Sequence, residues 1–296
     1  MTNPAARSPH PRRLTRFTAA IVITLAGASP AGAAELQPRT VEDWQRYVRA
    51  TEARIDRELA SDQRFLGIDF DEASKARADR QTVLSGQVVL ARMAEQGHNA
   101  EQINVRGGLI NHWRGTIFVP SVSLDQVLQE LQSPAVGRHR QQDVLESKVL
   151  SRDGDTSRVY LKLVRKKIVT VTYNTEHDVR YRRLTPTRAA SRSVSTKIAE
   201  VENAGTPSER EKPIGNDRGF MWRLNSYWRY EQVPGGVIVE LESLTLSRDI
   251  PFLIRLIAGP IINNIARESM TRTLESMRER LRLSAVPTRA EGRTGS

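Results

Sequence analysis

One segment near the C-terminus limits the folds open to this chain more than any other. Residues 249–282 read as one long helix, because Asp249 and Pro251 both suit a helix start. Gly259-Pro260 predicts a bend within it. Such a helix needs a large apolar surface to pack against, since apolar residues recur at helical spacing along one side: Leu253, Leu256, Ile257, Ile261, Ile262, Ile265, Met270, Leu274, Met277 and Leu281.

The preceding residues supply that surface as strands. Alternating or β-branched segments separated by short turns predict about seven antiparallel strands between residues 110 and 247. After the first strand, residues 123–131 predict a helix that Ser123 and Gln126 cap. The last hairpin is expected to direct apolar residues to the long helix and charged ones, Arg223, Arg229, Glu240 and Glu242, to solvent. Nearer the N-terminus, residues 40–59 and 72–81 predict helices and residues 84–93 a strand.

The first 34 residues have the pattern of a secretory leader. Arg12, Arg13 and Arg16 form a basic start, residues 17–28 an apolar core too short to span a bilayer, and Ala31-Gly32-Ala33 a small-residue cleavage pattern. The pattern predicts a cleaved signal peptide and a periplasmic or secreted protein. The alternative is a disordered or anchoring N-terminus.

Composition excludes several kinds of site. The chain has 296 residues and no cysteine, so disulfides, zinc–thiolate sites and thiol nucleophiles are excluded. Four of its 45 Lys and Arg residues and none of its 34 Asp and Glu residues lie in the leader, whose removal lowers the net charge from +11 to +7. A basic protein can bind nucleic acid or anionic lipid. Export argues against nucleic acid as the partner.

The order of elements, together with four local motifs, resembles a known family. The motifs are His112-Trp113-Arg114-Gly115, Ser151-Arg152-Asp153-Gly154-Asp155, Gly219-Phe220-Met221-Trp222-Arg223-Leu224-Asn225-Ser226-Tyr227-Trp228-Arg229 and Ser247-Arg248-Asp249-Ile250-Pro251. They resemble an uncharacterised bacterial group of the START-like, or Bet v 1-like, helix-grip superfamily (SRPBCC), which includes polyketide cyclases. The resemblance covers residues 109–281 and implies an α+β fold, with a curved antiparallel sheet wrapped around the C-terminal helix.

The expected organisation is a signal peptide (1–34), an N-terminal helical extension with one strand (35–108), the helix-grip domain (109–283) and a disordered tail (284–296). The superfamily also implies a cavity for an apolar molecule between sheet and helix. The same side chains would be ordinary core if that space is filled. The candidate lining is Trp222, Leu224, Trp228, Val239 and Leu241 from the sheet with Leu256, Ile257, Ile261 and Ile265 from the helix.

No motif assigns a catalytic residue. No histidine has metal-ligand spacing, and glycine-rich phosphate loops and serine-elbow patterns are absent from the sequence, so no metal or cofactor is predicted. Tyr173, His177 and Tyr181, placed on neighbouring predicted strands, either converge or form surface pairs.

A basic run consists of Arg180, Arg182, Arg183, Arg188 and Arg192. It is either an ordinary solvated surface or a patch that meets anionic membrane headgroups.

Three functions follow from these features. The first is an exported, non-enzymatic binding protein for a lipid-like or other hydrophobic molecule. The second is a cyclase- or hydrolase-like enzyme that uses polar groups in the same cavity. The third is an interaction module in which residues 35–108 bind a partner through an exposed apolar patch.

Overall fold

The fold is built from one large sheet with helices on both of its faces. The computed structural model describes residues 34–93, 103–132, 143–166, 170–249 and 252–285, and of residues 34, 166, 252–263, 265 and 285 it describes the backbone alone. Residues 1–33 of the predicted leader and 286–296 of the predicted tail lie outside this description. The helices are α1 (Pro38–Leu59), α2 (Ala73–Leu84), α3 (Leu124–Gln132) and α4 (Phe252–Ala285), with a 3-10 turn (Gly67–Phe70) between α1 and α2. The strands are β1 (Ala34–Glu35), β2 (Val89–Arg92), β3 (Gly108–Pro120), β4 (Val144–Asp153), β5 (Thr156–Lys166), β6 (Thr170–Thr185), β7 (Arg188–Glu202), β8 (Arg210–Glu211), β9 (Asn216–Asp217), β10 (Arg223–Val233) and β11 (Gly236–Arg248).

The main sheet has nine strands within the described residues. Its order is β2-β3-β11-β10-β7-β6-β5-β4, with β8 alongside β7, and each adjacent pair is antiparallel. β1 and β9 form a separate pair. The predicted helix-grip architecture is confirmed. The sheet has more strands than the expected seven or so because β2 and the short β8 also join it. The described parts of two predicted strands, residues 170–174 and 177–184, form one strand, β6.

The sheet curves around α4 and contacts it from strands near both ends of the sheet order. On β3, an added Cβ at Gly115 would lie 2.7 Å from Leu274 Cδ1 and 2.9 Å from Met270 Cγ, so glycine permits the helix to approach the strand closely. At the far side, Arg272 Nη2 lies 3.8 Å from an oxygen of Asp143, which directly precedes β4. The sheet is therefore wrapped around the C-terminal helix, α4, as predicted.

The predicted cap of α3 is also present. Ser123 Oγ accepts a hydrogen bond from the Gln126 amide at 3.2 Å, and the Gln126 side chain accepts one from the Ser123 amide at 2.8 Å. This reciprocal pair satisfies two amides that the first turn of a helix leaves without partners. The cap fixes where α3 begins, beside the C-terminal part of α4.

The N-terminal elements cover the face of the sheet that points away from α4. Trp44, Tyr47 and Ile55 of α1 pack against Trp222, Tyr227, Leu244 and Leu246. Phe65, Leu66 and Ile68 pack with Val83 of α2 and Ile238 of β11. Residues 38–84, from α1 to α2, thus form a third layer whose buried apolar residues pack against the sheet.

The prediction that Arg229, Glu240 and Glu242 face solvent was wrong, because this third layer buries all three. Glu240 accepts hydrogen bonds from the amides of Gly67 at 2.6 Å and Ile68 at 3.1 Å. The buried charges are paired across the interface, as buried charges must be: Arg229 with Glu58, Glu242 with Arg54, and Arg114 with Asp71. Within the sheet, His112 also contacts Glu242.

Among the described residues, none of the helices combines the length and the apolar character that a membrane crossing requires.

Candidate functional site

The face of the sheet that points toward α4 carries two separate apolar clusters. The first, here called the α4 cluster, is filled by the C-terminal half of the helix. Strand register places Trp228 beside Leu241, and Tyr230 beside Val239, on this face. The buried members of the α4 cluster are Ile117, Val119, Val122, Leu124, Val127, Ala189, Tyr230, Val237, Val239, Leu241, Met270, Leu274, Met277 and Leu281.

The second cluster, here called the β5–β7 cluster, lies further along the same face. Leu224 belongs to it and is four residues from Trp228 on β10, so both side chains point to the same side. Its buried members are Leu163, Val171, Tyr173, Ile198 and Met221, with Val144, Leu161 and Leu224 partly buried against them. No described apolar side chain of α4 belongs to this cluster. The cluster is buried, and these apolar members do not come from the C-terminal half of α4.

The predicted lining residues fall into three groups. Trp228, Val239 and Leu241 lie in the α4 cluster, and Leu224 lies in the β5–β7 cluster. Trp222 lies elsewhere: it precedes β10, packs against Trp44 and Tyr47 of α1 on the opposite face, and donates its indole N–H to Asp217 at 3.2 Å. The four predicted helix residues, Leu256, Ile257, Ile261 and Ile265, have side chains outside the described residues.

Three polar residues lie in a line on one strand, β6. Tyr173, His177 and Tyr181 are four residues apart, and alternate strand residues share a face. Tyr181 donates to the Leu131 carbonyl of α3 at 3.3 Å, and Tyr173 belongs to the β5–β7 cluster. The expectation that they lie on neighbouring strands was wrong, and Tyr173 and His177 are buried rather than at the surface. The spacing of four, read on one strand, would have placed them together.

His177 is buried and uncharged at neutral pH. The residue is 3% exposed, and burial lowers its pKa to about 4, against an opposing effect of the Asp178 charge. Thr175 gives its hydroxyl hydrogen to the Leu161 carbonyl at 3.0 Å, so it can only accept from His177 Nε2, also 3.0 Å away. The proton is therefore on Nε2. Nδ1 keeps a lone pair, with Ser193 Oγ 3.5 Å away.

Tyr173 has a buried hydroxyl that finds no hydrogen-bond partner among the described residues. Burial raises its pKa, the carboxylates of Glu200 and Asp217 raise it further, and Arg218 and Arg165 lower it. The hydroxyl therefore stays protonated and can donate. Buried hydroxyls almost always have a partner, so an unpaired one points to a missing acceptor.

The five arginines of the basic run do not share one face. Arg180 and Arg192 pair directly across β6 and β7, and Arg192 contacts Glu52 of α1, which places both on the α1 side with Arg182. Arg183 lies on the opposite side, in contact with Asp125 of α3. The fifth, Arg188, is bonded to Glu231.

Within the part of the chain that is described, no group of three or more His, Asp or Glu side chains is arranged to hold a metal ion.

No family model and no curated protein sequence matches this chain. Solved structures do match it. A STAR-related lipid transfer protein from Xanthomonas axonopodis is 15% identical, with 66% of this chain and 98% of that chain covered and a TM-score of 0.39. Human STARD10 is 8% identical, with coverage of 75% and 83% and a TM-score of 0.41. The Zhui aromatase/cyclase from Streptomyces sp. R1128 is 12% identical, with coverage of 60% and 98% and a TM-score of 0.38. Because identity and TM-score are low throughout, the assignment of a helix-grip fold rests on the sheet order and on α4 as described above.

Proposed function

We propose that the protein binds a lipid-like or other hydrophobic small molecule between the β5–β7 cluster and the first half of α4. The proposal depends on one observation. The face of the sheet toward α4 carries two apolar clusters, and the C-terminal half of α4 packs into the α4 cluster but not into the β5–β7 cluster. Ligand sites in proteins are mostly apolar with a few fixed polar groups. The β5–β7 cluster fits that description, with Tyr173 as a polar group within it and His177 on the same face of β6.

The test is ligand binding by a variant in which the proposed space is filled. Native mass spectrometry of protein purified from its own host should reveal a bound apolar molecule. The neutral dye Nile red should bind saturably, and Leu224→Trp should weaken that binding about tenfold or more, because the larger ring occupies ligand space.

The control is Leu145→Trp, which adds the same ring to an exposed position on β4. It should leave dye binding unchanged. A protein that carries no ligand, and whose dye binding is equally insensitive to both substitutions, would overturn the proposal.

A second function is favoured by one observation, the neutral imidazole of His177 with a lone pair on Nδ1. Such a group can act as a general base toward a bound ester or polyketide. In that case His177→Gln should abolish turnover and retain ligand binding. Absence of turnover with both substrate classes in the wild-type protein would argue against an enzyme.

Export and membrane contact also belong to the proposal. Sequencing of the mature N-terminus from the native host should place cleavage near residue 33. Contact through the exposed Arg180, Arg182 and Arg192 predicts binding to anionic vesicles that weakens with salt. Equal binding to neutral and anionic vesicles would count against membrane contact.

A further inference from the structure

At the rim where β4, β5 and α4 meet, two guanidinium groups share one carboxylate. Arg165 Nη1 donates to Asp143 Oδ2 at 2.8 Å, and Arg272 Nη2 lies 3.8 Å from the same oxygen. The side chains of Arg165 and Arg272 are 39% and 40% exposed. The two arginines and one aspartate of this trio leave one positive charge unbalanced, and the trio is open to solvent at an edge of the β5–β7 cluster.

Two buried donors, one within this trio and one near it, have no acceptor among the described residues. They are the Tyr173 hydroxyl and Arg272 Nε. Tyr173 is 1% exposed. Strand register pairs Tyr173 with Leu163 and Val171 with Arg165, so Arg165 is the diagonal neighbour of Tyr173 on the same face. The hydroxyl therefore points into the region that the trio borders.

The other acids near Tyr173 are already neutralised or bonded. Glu200 pairs with both Arg218 and Lys212 at 2.7 Å. Asp217 accepts from the Gly219 amide at 2.6 Å and from the Trp222 indole. The excess of donors over acceptors therefore remains at the trio and at Tyr173.

We infer that Tyr173, Arg165 and Arg272 bind the acidic head group of an amphiphile, a carboxylate or a phosphate, whose apolar chain lies along the β5–β7 cluster. The inference rests on the proposed function and names its ligand class. Carboxylate and phosphate oxygens accept strong hydrogen bonds from arginine, and an acceptor here would satisfy both unpaired donors. The partial exposure of the arginines keeps the head group at the rim, where its desolvation costs little.

The test compares matched ligands by displacement of Nile red from the intact protein. Palmitate should bind about tenfold tighter than hexadecanol, which has the same chain and no charge. A phosphatidic acid below its micellar concentration tests a phosphate head group, and inorganic phosphate tests a free anion. Preference for either acidic lipid over hexadecanol supports the inference, and inorganic phosphate should not displace the dye.

Two variants assign the effect to these residues. Arg272→Gln should bring the ratio of palmitate to hexadecanol affinity close to one. Tyr173→Phe should weaken palmitate binding several-fold without lowering the melting temperature, because the hydroxyl it removes has no partner to lose. The control is Arg282→Gln, which removes an exposed charge from the same helix and should preserve the preference.

The outcomes separate the two proposals. If hexadecanol and palmitate bind equally and neither variant discriminates between them, the acidic head group is wrong while apolar binding stands. If inorganic phosphate competes as well as palmitate, the site binds free anions and the inference fails. If no ligand with an alkyl chain binds, the proposed function itself fails.

Discussion

At the scale of single residues, the outer face of the sheet depends on charges that are buried and paired. Arg229 donates to the Phe65 carbonyl at 2.8 Å and pairs with Glu58, and it lies 3.7 Å from Glu240. Burial raises the pKa of Glu240, while Arg229 and Arg114 lower it. Removing one partner of such a pair leaves an uncompensated buried charge, which costs far more than the pair itself contributes.

Arg229→Leu should therefore lower the free energy of unfolding by about 3–5 kcal/mol, because Glu58, which then keeps only Arg54, and Glu240 both lose a buried positive charge. Urea denaturation measures this change. Arg210→Leu is the control, since Arg210 pairs with Glu202 but is 74% exposed, and it should change the free energy by less than about 1 kcal/mol. Similar effects of the two substitutions would mean that the buried network is not intact in solution.

The buried histidine of the candidate site should make stability depend on pH. The folded pKa of His177, about 4, lies below its ordinary value of 6.5, so the unfolded chain takes up the proton first as pH falls. The stability that neutral His177 contributes is complete above about pH 6.5 and is lost as pH falls toward about 4. Between about pH 7 and pH 5, wild type should lose about 2 kcal/mol more than His177→Gln. Parallel loss in both proteins, measured by urea denaturation at each pH, would mean that His177 is solvated.

At the scale of elements, local sequence patterns predicted most of the fold, and contacts between segments distant in sequence determine the remainder. Residues close together in the sequence predict the α4 stripe, the cap of α3 and the alternating strands. They do not predict the burial of Glu240, since a charged residue on a strand is expected to face solvent until a third layer is known. For the same reason no local signal joins Asp143, Arg165 and Arg272, which come from three separate segments of the chain.

The third layer makes α1 a structural element of the sheet rather than an appendage. Trp44 is buried against residues of β10 and β11, so Trp44→Ala should lower the free energy of unfolding by about 3–5 kcal/mol. Arg49→Ala, on the exposed side of the same helix, should change it by no more than about 0.5 kcal/mol. Thermal or urea unfolding checks both. An unchanged stability in Trp44→Ala would show that α1 does not pack on the sheet in solution.

At the scale of the whole molecule, one sheet separates two layers with different proposed roles. α1 and α2 pack against one face through apolar and ionic contacts, and α4 lies against the other. A third function, partner binding by residues 35–108, needed an exposed apolar patch there. Among the large apolar residues of described positions 35–93, Leu84 is exposed, while Trp44, Tyr47, Phe65 and Ile68 are buried. We therefore expect the α1–α2 side of the sheet to be rigid and the α4 side to respond to a ligand.

This division predicts where a bound amphiphile changes hydrogen exchange. Saturating palmitate should slow exchange in β5, β6, β7 and α4, because a ligand that binds the native state suppresses openings that would release it. Amides of α1 that exchange by local opening should keep their rates, since the sheet lies between α1 and the ligand. Hydrogen exchange read by mass spectrometry at short labelling times measures both, and Leu224→Trp should remove the protection. Slower exchange centred on α1 and α2 would instead place the ligand on the outer face, and the site between the sheet and α4 would have to be given up.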